Sequence, residues 1–579
     1  MKVPLISVFA ALVELMLGAM AQTWCGKHYK PELPIVPPGG QFPIPSKSTL
    51  PLLALRCSPA IRPYLPEDVA STDPSFVSIL VDAPITFSKL SNAAPIHPSE
   101  SSGALDVTIS VDGKHLTHGI VKLNSTRTSL PFSLRSLQPR TAPYNISCSA
   151  TFGKQKFLAT GLLSYLPDPP SSIGSVTKMD LRTGALLARP ANGKGPYAPV
   201  LPIGFYTQFD GYLAKNLSIS AELAAQGFTI VHPIPTFSNL TALDLVLDKM
   251  QDAGLYLMYD MRGTYQNQTS VTEQVNRIKS RPNLLLWYTA DEPDGTTDPL
   301  NATVISSNLI TSLDGGDGKG GAGYHPVSLV LNCQDYFFNE YTSGSDIVMQ
   351  DAYMIGNNLT FSTVWNTVCT KDYGDCGCDN CLGKFEDIST RMDEFRDRLF
   401  INGWDRTKAV WTVPQGFGNE TYWKVIGTAS LLKRNAATHL LHNQRYPTGK
   451  EFVVESILGI NHGGLGVVSW DDPTTPDIKA SASLLALSLP KMTPYILSPV
   501  ASFRQLTINR VDVGLWTVGR ETLVLASNMN YATATVRLVD LGLHSRAINQ
   551  VLNSGAVIKS DKTGFTFESV GSGAFVVKK

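Results

Sequence analysis

The middle of the chain alternates short apolar runs with longer segments in which apolar residues recur at helical spacing. This pattern predicts strand–helix units whose parallel strands are buried on both faces. Eight units can be counted, with predicted strands at 201–205, 228–232, 255–259, 284–288, 328–332, 346–350, 410–413 and 464–470. Helix-start signals support the count, because Ser270 and Glu273 have the spacing of a capping box. Eight strands, each followed by a helix, predict an α/β fold built on a closed (β/α)8 barrel.

The segments on both sides of this barrel have a different pattern. Apolar and polar residues alternate there in short runs that are separated by turn residues such as Asp112-Gly113. This alternation predicts a β-sandwich before the barrel and another after it. We therefore divide the chain into a signal segment at 1–21, a Pro-rich extended lead-in at 22–75, an N-terminal β-sandwich at 76–174, the barrel with a leading hairpin at 175–497 and a C-terminal β-sandwich at 498–579.

The composition excludes a small or disordered protein and a nucleic-acid partner. The chain has 579 residues, of which 43% are hydrophobic and 17% are charged, so it can form several packed domains. Lys and Arg together number 48, as do Asp and Glu, and the formal net charge is zero. Nucleic-acid binding depends on an excess of basic residues, which this chain lacks. We therefore expect no nucleic acid among its partners.

The first residues have the pattern of a secretory signal. Lys2 is followed by an apolar stretch up to Met20, and Ala19-Met20-Ala21 forms a small-x-small cleavage site. An uncleaved anchor is the alternative, although the stretch is short for a membrane span and contains Glu14. Eight Asn-x-Ser/Thr glycan acceptors support export, at Asn124, Asn145, Asn216, Asn239, Asn267, Asn301, Asn358 and Asn419. We expect a secreted monomer without a membrane anchor.

Eight cysteines, an even number, fit an oxidising compartment. Four of them, Cys369, Cys376, Cys378 and Cys381, cluster downstream of the sixth predicted strand. In an exported chain this cluster predicts disulfides, and the alternative for its Cys-x-x-Cys element is zinc ligation. The spacing does not choose among the pairings. We expect no metal or cofactor, because His-x-x-x-His and the phosphate-binding Gly-x-x-x-x-Gly-Lys are both missing from the sequence.

The candidate chemistry lies at the carboxyl ends of the strands, where barrel enzymes have their active sites. Two adjacent carboxylates, Asp291 and Glu292, directly follow the buried fourth strand and precede Pro293. A loop that only caps the next helix would have the same local sequence. The polar or aromatic residues at the other predicted strand ends are Tyr206, Asp210, Asp260, Arg262, Asp351, Tyr353, Gln415, Trp470 and Asp471. Aromatic rings together with carboxylates suit a sugar, whose C–H faces stack on rings while its hydroxyls form hydrogen bonds.

Three further polar residues have readings that compete with function. His232, at the end of the second strand, fits packing as well as it fits a site. Asp472 precedes Pro473 and fits a helix cap equally well. Glu455 lies within a helical pattern, so we expect it to face solvent or a neighbouring helix.

The fourth-strand sequence Trp287-Tyr288-Thr-Ala-Asp291-Glu292 resembles the acidic strand-four ends of barrel glycoside hydrolases, where an Asn-Glu or Asp-Glu pair supplies the acid/base. The resemblance covers about 175–495 together with the sandwich–barrel–sandwich setting, and its motifs are short. It implies a superfamily and leaves the substrate open. It also implies that Glu292 is the general acid/base and that a carbohydrate is the substrate.

The chain departs from the retaining members of this superfamily after the seventh strand. The nucleophile there is a Glu, whereas this chain has Gln415, and an amide cannot form a glycosyl ester. One option is that Asp351 serves as the second carboxylate. The other resembles substrate-assisted N-acetylhexosaminidases, in which the Asp of an Asp-Glu pair orients the 2-acetamido group; here that residue is Asp291. Regular strand alternation sends Asp291 and Glu292 to opposite sides, so the second option requires a bend.

We therefore predict a secreted glycoside hydrolase. The alternative is an inactive barrel that binds carbohydrate or contacts a cell wall, which is suggested by Gln415 at the usual place of a nucleophile. A second carboxylate about 5–5.5 Å from Glu292 fits retaining hydrolysis, and one about 6.5–9.5 Å away fits inverting hydrolysis. The sugar, the anomer and the mechanism are left open by the sequence.

Overall fold

The computed structural model describes residues 23–97, 103–319, 321–418, 445–544 and 547–578. The predicted signal segment and Asn419 lie outside these residues. Within the described ranges, none of the helices combines the length and the apolar character that a membrane span needs.

Eight parallel strands close into a barrel in which neighbours along the chain are neighbours in the sheet. They are Ile203–Gln208 (β1), Ile230–Ile234 (β2), Tyr256–Asp260 (β3), Leu284–Asp291 (β4), Val327–Leu331 (β5), Ile347–Gln350 (β6), Ala409–Thr412 (β7) and Gly464–Asp472 (β8). β1 pairs with β8 and closes the barrel. The predicted (β/α)8 fold with antiparallel sheets on both sides is confirmed.

A helix follows each of the eight strands. These helices are Ile219–Ala225 (α1), Leu240–Asp252 (α2), Gln268–Ile278 (α3), Ala302–Leu313 (α4), Phe338–Ser343 (α5), Glu386–Asn402 (α6), Gly449–Asn461 (α7) and Pro476–Ile496 (α8). The predicted capping box at Ser270 is wrong, because Asn267 caps α3 and Ser270 lies in its first turn. A capping box is present instead at the start of α7, between Thr448 and Glu451.

The flanking sheets share their hydrophobic cores with the barrel. The N-terminal side has four antiparallel sheets, with the orders 114–122/104–111/144–152/155–163, 128–131/78–82/56–59, 198–200/185–188/178–180/61–62 and 85–88/47–53/94–95. Side chains from inside the barrel, such as Met258 and Trp411, pack in one cluster with these sheets. The barrel is therefore supported from one end.

Part of the predicted extended lead-in forms strands. Lys47–Leu53, Arg56–Pro59 and Ile61–Arg62 belong to the N-terminal sheets, because the Pro-rich composition gives way there to an apolar run. Cys57 in this segment forms a disulfide with Cys148. The N-terminal sheets thus begin before the boundary that the turn signals indicated.

The C-terminal sheet has six strands, which are Ser502–Ile508, Val511–Val518, Glu521–Asn528, Ala534–Arg537, Ile548–Ile558 and Gly564–Lys578. It packs against α7 and α8. His462, just after α7, lies between two carboxylates: its Nδ1 is 2.9 Å from Asp393 Oδ2 and its Nε2 is 3.0 Å from Asp512 Oδ2. Because Asp512 lies in the sheet and Asp393 in α6, this histidine links the barrel to the C-terminal sheet.

Candidate active site

The end of β4 is bent, and the bend brings two adjacent carboxylates into one site. The pairing of β4 with β5 shifts register between Tyr288 and Asp291. Glu292 then has a φ of 49°, in the left-handed region that side-chain-bearing residues seldom adopt. The Glu292 amide donates to the carbonyl of Val330 at 3.1 Å, which fixes this conformation. The alternation of the strand is therefore broken where it would have separated Asp291 from Glu292.

Glu292 and Asp351 form a hydrogen-bonded pair of carboxyl groups. Asn332, which follows β5, donates from its Nδ2 to Glu292 Oε1 at 3.0 Å and lies 3.5 Å from Asp351 Oδ1. Glu292 is half-buried, whereas Asp351 is buried. The pair lies across β4, β5 and β6 at their carboxyl ends.

Burial raises the pKa of both carboxyl groups. The pKa of Glu292 rises from 4.5 to about 7, because water is excluded and because the charge of Asp291 disfavours ionisation. The pKa of Asp351 is raised further, by burial and then by the charge of Glu292. The pair therefore holds at least one proton at neutral pH. A protonated Asp351 is a hydrogen-bond donor and not a nucleophile.

Asp291 is fixed by a different set of partners. Arg262 Nη1 donates to Asp291 Oδ2 at 2.7 Å, and the Tyr288 hydroxyl donates to Asp291 Oδ1. Arg262 also bonds Asp260 through Nε at 2.7 Å, and Asp260 in turn contacts His232 Nε2 at 2.7 Å. About 27% of the Asp291 side chain is exposed, so a ligand can still reach this fixed carboxylate.

Aromatic rings surround Arg262. Its guanidinium lies 5.2 Å from the ring centre of Tyr206, 5.6 Å from that of Tyr288 and 4.9 Å from that of Trp470. Arg262 Nη2 is buried and has no hydrogen-bond partner among the described residues. Such a donor is expected to be satisfied by water or a ligand. On the other side, the ring of Tyr353 is in edge contact with Phe417 at 4.9 Å, and burial raises the pKa of its hydroxyl further than nearby Asp351 does.

The structure thus brings together most of the residues that the strand-end rule selected. Glu292, Asp351, Asp291, Arg262, Tyr206, Tyr353 and Trp470 lie in one region. Asp210 is exposed after β1, and Asp471 accepts a hydrogen bond from Gln208 at 3.0 Å. Asp472 is buried and paired with Lys479 at 2.5 Å.

Two predicted substrate-binding residues have other roles. Gln415 is fully buried; its amide nitrogen donates to the Ile355 carbonyl at 2.9 Å and its amide oxygen accepts from the Ile355 amide at 3.1 Å. Gln415 therefore joins the loops that follow β6 and β7 and is not available to a sugar. Asp260 is also fully buried and acts through Arg262.

The prediction for Glu455 is corrected at the same place. This residue is fully buried and accepts the backbone N–H of Gln415 at 2.7 Å, and it does not face solvent. His232 is equally buried, and its contact with Asp260 supports packing more than ligand binding.

Sequence reasoning missed three residues of the site. Asn332 ends the fifth predicted strand, so the strand-end rule could have found it. Asp294 is buried and accepts the backbone N–H groups of Asn332 at 3.3 Å and Cys333 at 2.8 Å. Trp24 donates from its indole Nε1 to Asn332 Oδ1 at 3.0 Å across 308 residues of chain. No local pattern marks Trp24 as part of a barrel site.

All eight cysteines form disulfides: Cys25–Cys333, Cys57–Cys148, Cys369–Cys376 and Cys378–Cys381. The expectation that the four-cysteine cluster is oxidised agrees with this pairing. Two of the disulfides stabilise the long segment between β6 and α6, and the first attaches the N-terminal segment to the residue that follows Asn332.

Comparison with known proteins gives a likeness of fold. No protein-family model and no curated protein matches the sequence. Similar solved structures include an α-amylase from Geobacillus thermoleovorans complexed with acarbose, with 11% identity, coverage of 65% of this chain and 98% of that one, and a TM-score of 0.40. A GH30 endoxylanase from Clostridium papyrosolvens has 10% identity, coverage of 66% and 97%, and a TM-score of 0.37. A β-glucuronidase from Parabacteroides merdae has 9% identity, coverage of 91% and 74%, and a TM-score of 0.31.

These structural neighbours are glycoside hydrolases. Their identities are close to a tenth and every TM-score is below 0.5, so the function of this chain is argued from its own site.

Proposed function

We propose that the chain is an exported glycoside hydrolase in which Glu292 protonates the leaving oxygen of the sugar. The observation that carries this proposal is the pair of carboxyl groups at the carboxyl ends of the barrel strands, where burial keeps Glu292 protonated up to about pH 7. Four disulfides and seven exposed glycan acceptors in the described ranges support export.

The geometry favours substrate assistance over attack by Asp351. Hydrolysis by two protein carboxylates needs a separation of about 5–5.5 Å or about 6.5–9.5 Å, and a direct hydrogen bond between Glu292 and Asp351 is shorter than both. Asp351 is also held in its protonated form. The bend at the end of β4 meets the condition for the other mechanism, because Asp291 and Glu292 now serve one site.

In this mechanism Asp291 orients the 2-acetamido group, whose carbonyl oxygen attacks the anomeric carbon while Glu292 gives its proton to the departing oxygen. Arg262 and Tyr288 each bond one oxygen of Asp291, and each oxygen keeps a lone pair for the acetamido N–H. The buried Nη2 of Arg262 supplies a donor for a sugar oxygen, and Trp470 supplies a ring for the sugar face.

The test is a panel of aryl glycosides with and without a 2-acetamido group, assayed with two single variants. Asp291→Asn should lower kcat at least about 100-fold on 2-acetamido substrates, because the amide no longer orients the attacking group. Asp351→Asn should retain most of the activity, because an amide can still donate to Glu292. Asp210→Asn, an exposed carboxylate at the same end of the barrel, is the matched control and should behave as wild type.

Three results would contradict the proposal. Cleavage of sugars without the 2-acetamido group together with an inactive Asp351→Asn variant would assign catalysis to the two-carboxylate mechanism. An Asp291→Asn variant as active as Asp210→Asn would remove Asp291 from catalysis. Saturable sugar binding by calorimetry without any hydrolysis would identify an inactive carbohydrate-binding barrel.

A further inference from the structure

The N-terminal segment reaches the catalytic face of the barrel as a short hairpin. Thr23–Trp24 pairs with Lys27–His28, and the turn between them contains Cys25, which is bonded to Cys333. The Thr23 hydroxyl lies 3.2 Å from that of Thr297, in the loop after β4. The hairpin is therefore fastened to the loops that follow β4 and β5, both of which contribute residues to the site.

The indole of Trp24 packs directly on the backbone of the loop that carries Glu292. A Cβ atom at Gly295 would lie 2.5 Å from the Trp24 ring, so only glycine permits this contact. The disulfide on one side and the Gly295 surface on the other leave the indole little freedom to rotate.

An indole N–H can only donate, and this determines which end of the Asn332 amide faces Trp24. The acceptor is Asn332 Oδ1, at 3.0 Å. Asn332 Nδ2 must then point the other way, where it meets Glu292 Oε1 at 3.0 Å and Asp351 Oδ1 at 3.5 Å. The reversed amide would turn an oxygen toward two carboxyl groups and leave the buried indole N–H unpaired.

The backbone of Asn332 is fixed as well. Its N–H donates to Asp294 Oδ1 at 3.3 Å, and its carbonyl accepts from Arg391 at 2.7 Å. Only the side-chain amide is left with a choice of orientation, and Trp24 makes that choice.

We propose that Trp24 is a positioning residue that sets the orientation of the Asn332 amide and, through it, the charge state of the Glu292–Asp351 pair. The Asn332 N–H groups favour the ionised form of Glu292, so they oppose the effect of burial. The kinetic consequence rests on the proposed function, in which Glu292 must hold a proton and then release it.

The test variant is Trp24→Phe, which keeps an aromatic ring on Gly295 and removes the N–H. We expect kcat to fall about tenfold with little change in KM, since the loss of one buried hydrogen bond is worth about that factor. The alkaline limb of the pH profile should move upward. Thr23→Val is the matched control: it removes a hydrogen bond of the same hairpin that does not involve Asn332, and both readouts should remain as in wild type.

A double-mutant cycle separates positioning from simple destabilisation. Trp24→Phe should have no further effect in an Asn332→Leu background, because the amide through which Trp24 acts is gone. Additive losses would overturn the proposal. Should Trp24→Phe lower Tm, replacement of Trp24 by the isosteric benzothienylalanine removes the N–H while keeping both rings, and the same cycle applies.

A readout without substrate keeps this inference separate from the proposed function. Infrared difference spectra, with Glu292→Gln as the subtraction reference, follow the ionisation of the Glu292 carboxyl. Its midpoint should rise in Trp24→Phe and stay at the wild-type value in Thr23→Val. An unmoved midpoint in Trp24→Phe would overturn the role of Trp24 even if the glycosidase activity is established. A shifted midpoint in a protein that cleaves no glycoside would uphold that role and refute only the proposed function.

Discussion

Raising the pH should switch off hydrolysis with a midpoint near 7, because Glu292 must be protonated to act as the acid. Its pKa lies at about 7 in place of the ordinary 4.5. The shift of about 2.5 units corresponds to about 3 kcal/mol against ionisation, supplied first by burial and then by the charge of Asp291. The protonated fraction falls about tenfold for each pH unit above the pKa. At pH 9 the rate should therefore be about a hundredth of its plateau.

The assay is kcat/KM on an unactivated aryl 2-acetamido glycoside, measured across the alkaline range with folding checked at each pH. Asp291→Asn removes a charge that raises the pKa of Glu292, so the residual activity of this variant should show its alkaline limb at lower pH. A wild-type limb near 4.5 would refute the reasoning, because it would show that the site is solvated. A limb that does not move in Asp291→Asn would show that burial alone raises the pKa.

Three further predictions concern the structure around the site. The pKa of His462 is raised from 6.5 to about 9 by Asp393 and Asp512 against the opposing effect of burial, so its stabilisation of about 3 kcal/mol at most is complete below 6.5 and is lost as the pH rises through 9. His462→Gln should therefore lower Tm at pH 6 and have little effect at pH 10, and an equal loss at both would contradict the ion pairs. Gly295→Ala should displace Trp24 and reproduce the kinetics of Trp24→Phe; wild-type kinetics would show that the ring is free to move. Mass mapping of the unreduced protein should find Cys25 linked to Cys333, and a free thiol at either position would contradict the anchoring of the hairpin.

The barrel was predictable because its strands are buried on both faces. Runs such as Leu284–Tyr288 are apolar at every position, which distinguishes a central parallel strand from an exposed antiparallel one. The lead-in was harder, since prolines extend to Pro51 while the strand Lys47–Leu53 already contains that residue. Proline is tolerated in such strands near sheet edges, so composition placed the boundary too late.

The site was predictable in position and not in direction. The strand-end rule located Glu292, Asp291, Asp351 and Arg262, because the carboxyl ends of parallel strands meet at one face. It could not show that Gln415 turns inward to bond Ile355, nor that a register shift after Tyr288 aligns two neighbouring carboxylates. These features depend on pairing between strands that are distant in the sequence.

The N-terminal contribution had no sequence signal. The bond between Trp24 and Asn332 joins residues 308 positions apart, and the disulfide beside it is one of many pairings that eight cysteines allow. Only the folded chain shows that a segment so far from the barrel in sequence reaches the catalytic face.

The most direct test of the account is the leaving-group dependence of Glu292→Gln. A general acid is needed when the leaving oxygen is basic, and it is dispensable when the leaving phenol is strongly activated. We predict that this variant loses about 10²–10⁴-fold in kcat/KM on an unactivated aryl 2-acetamido glycoside and stays close to wild type on the dinitrophenyl glycoside. An equal loss on both substrates, or no loss on either, would show that Glu292 does not donate the proton and would contradict the central claim.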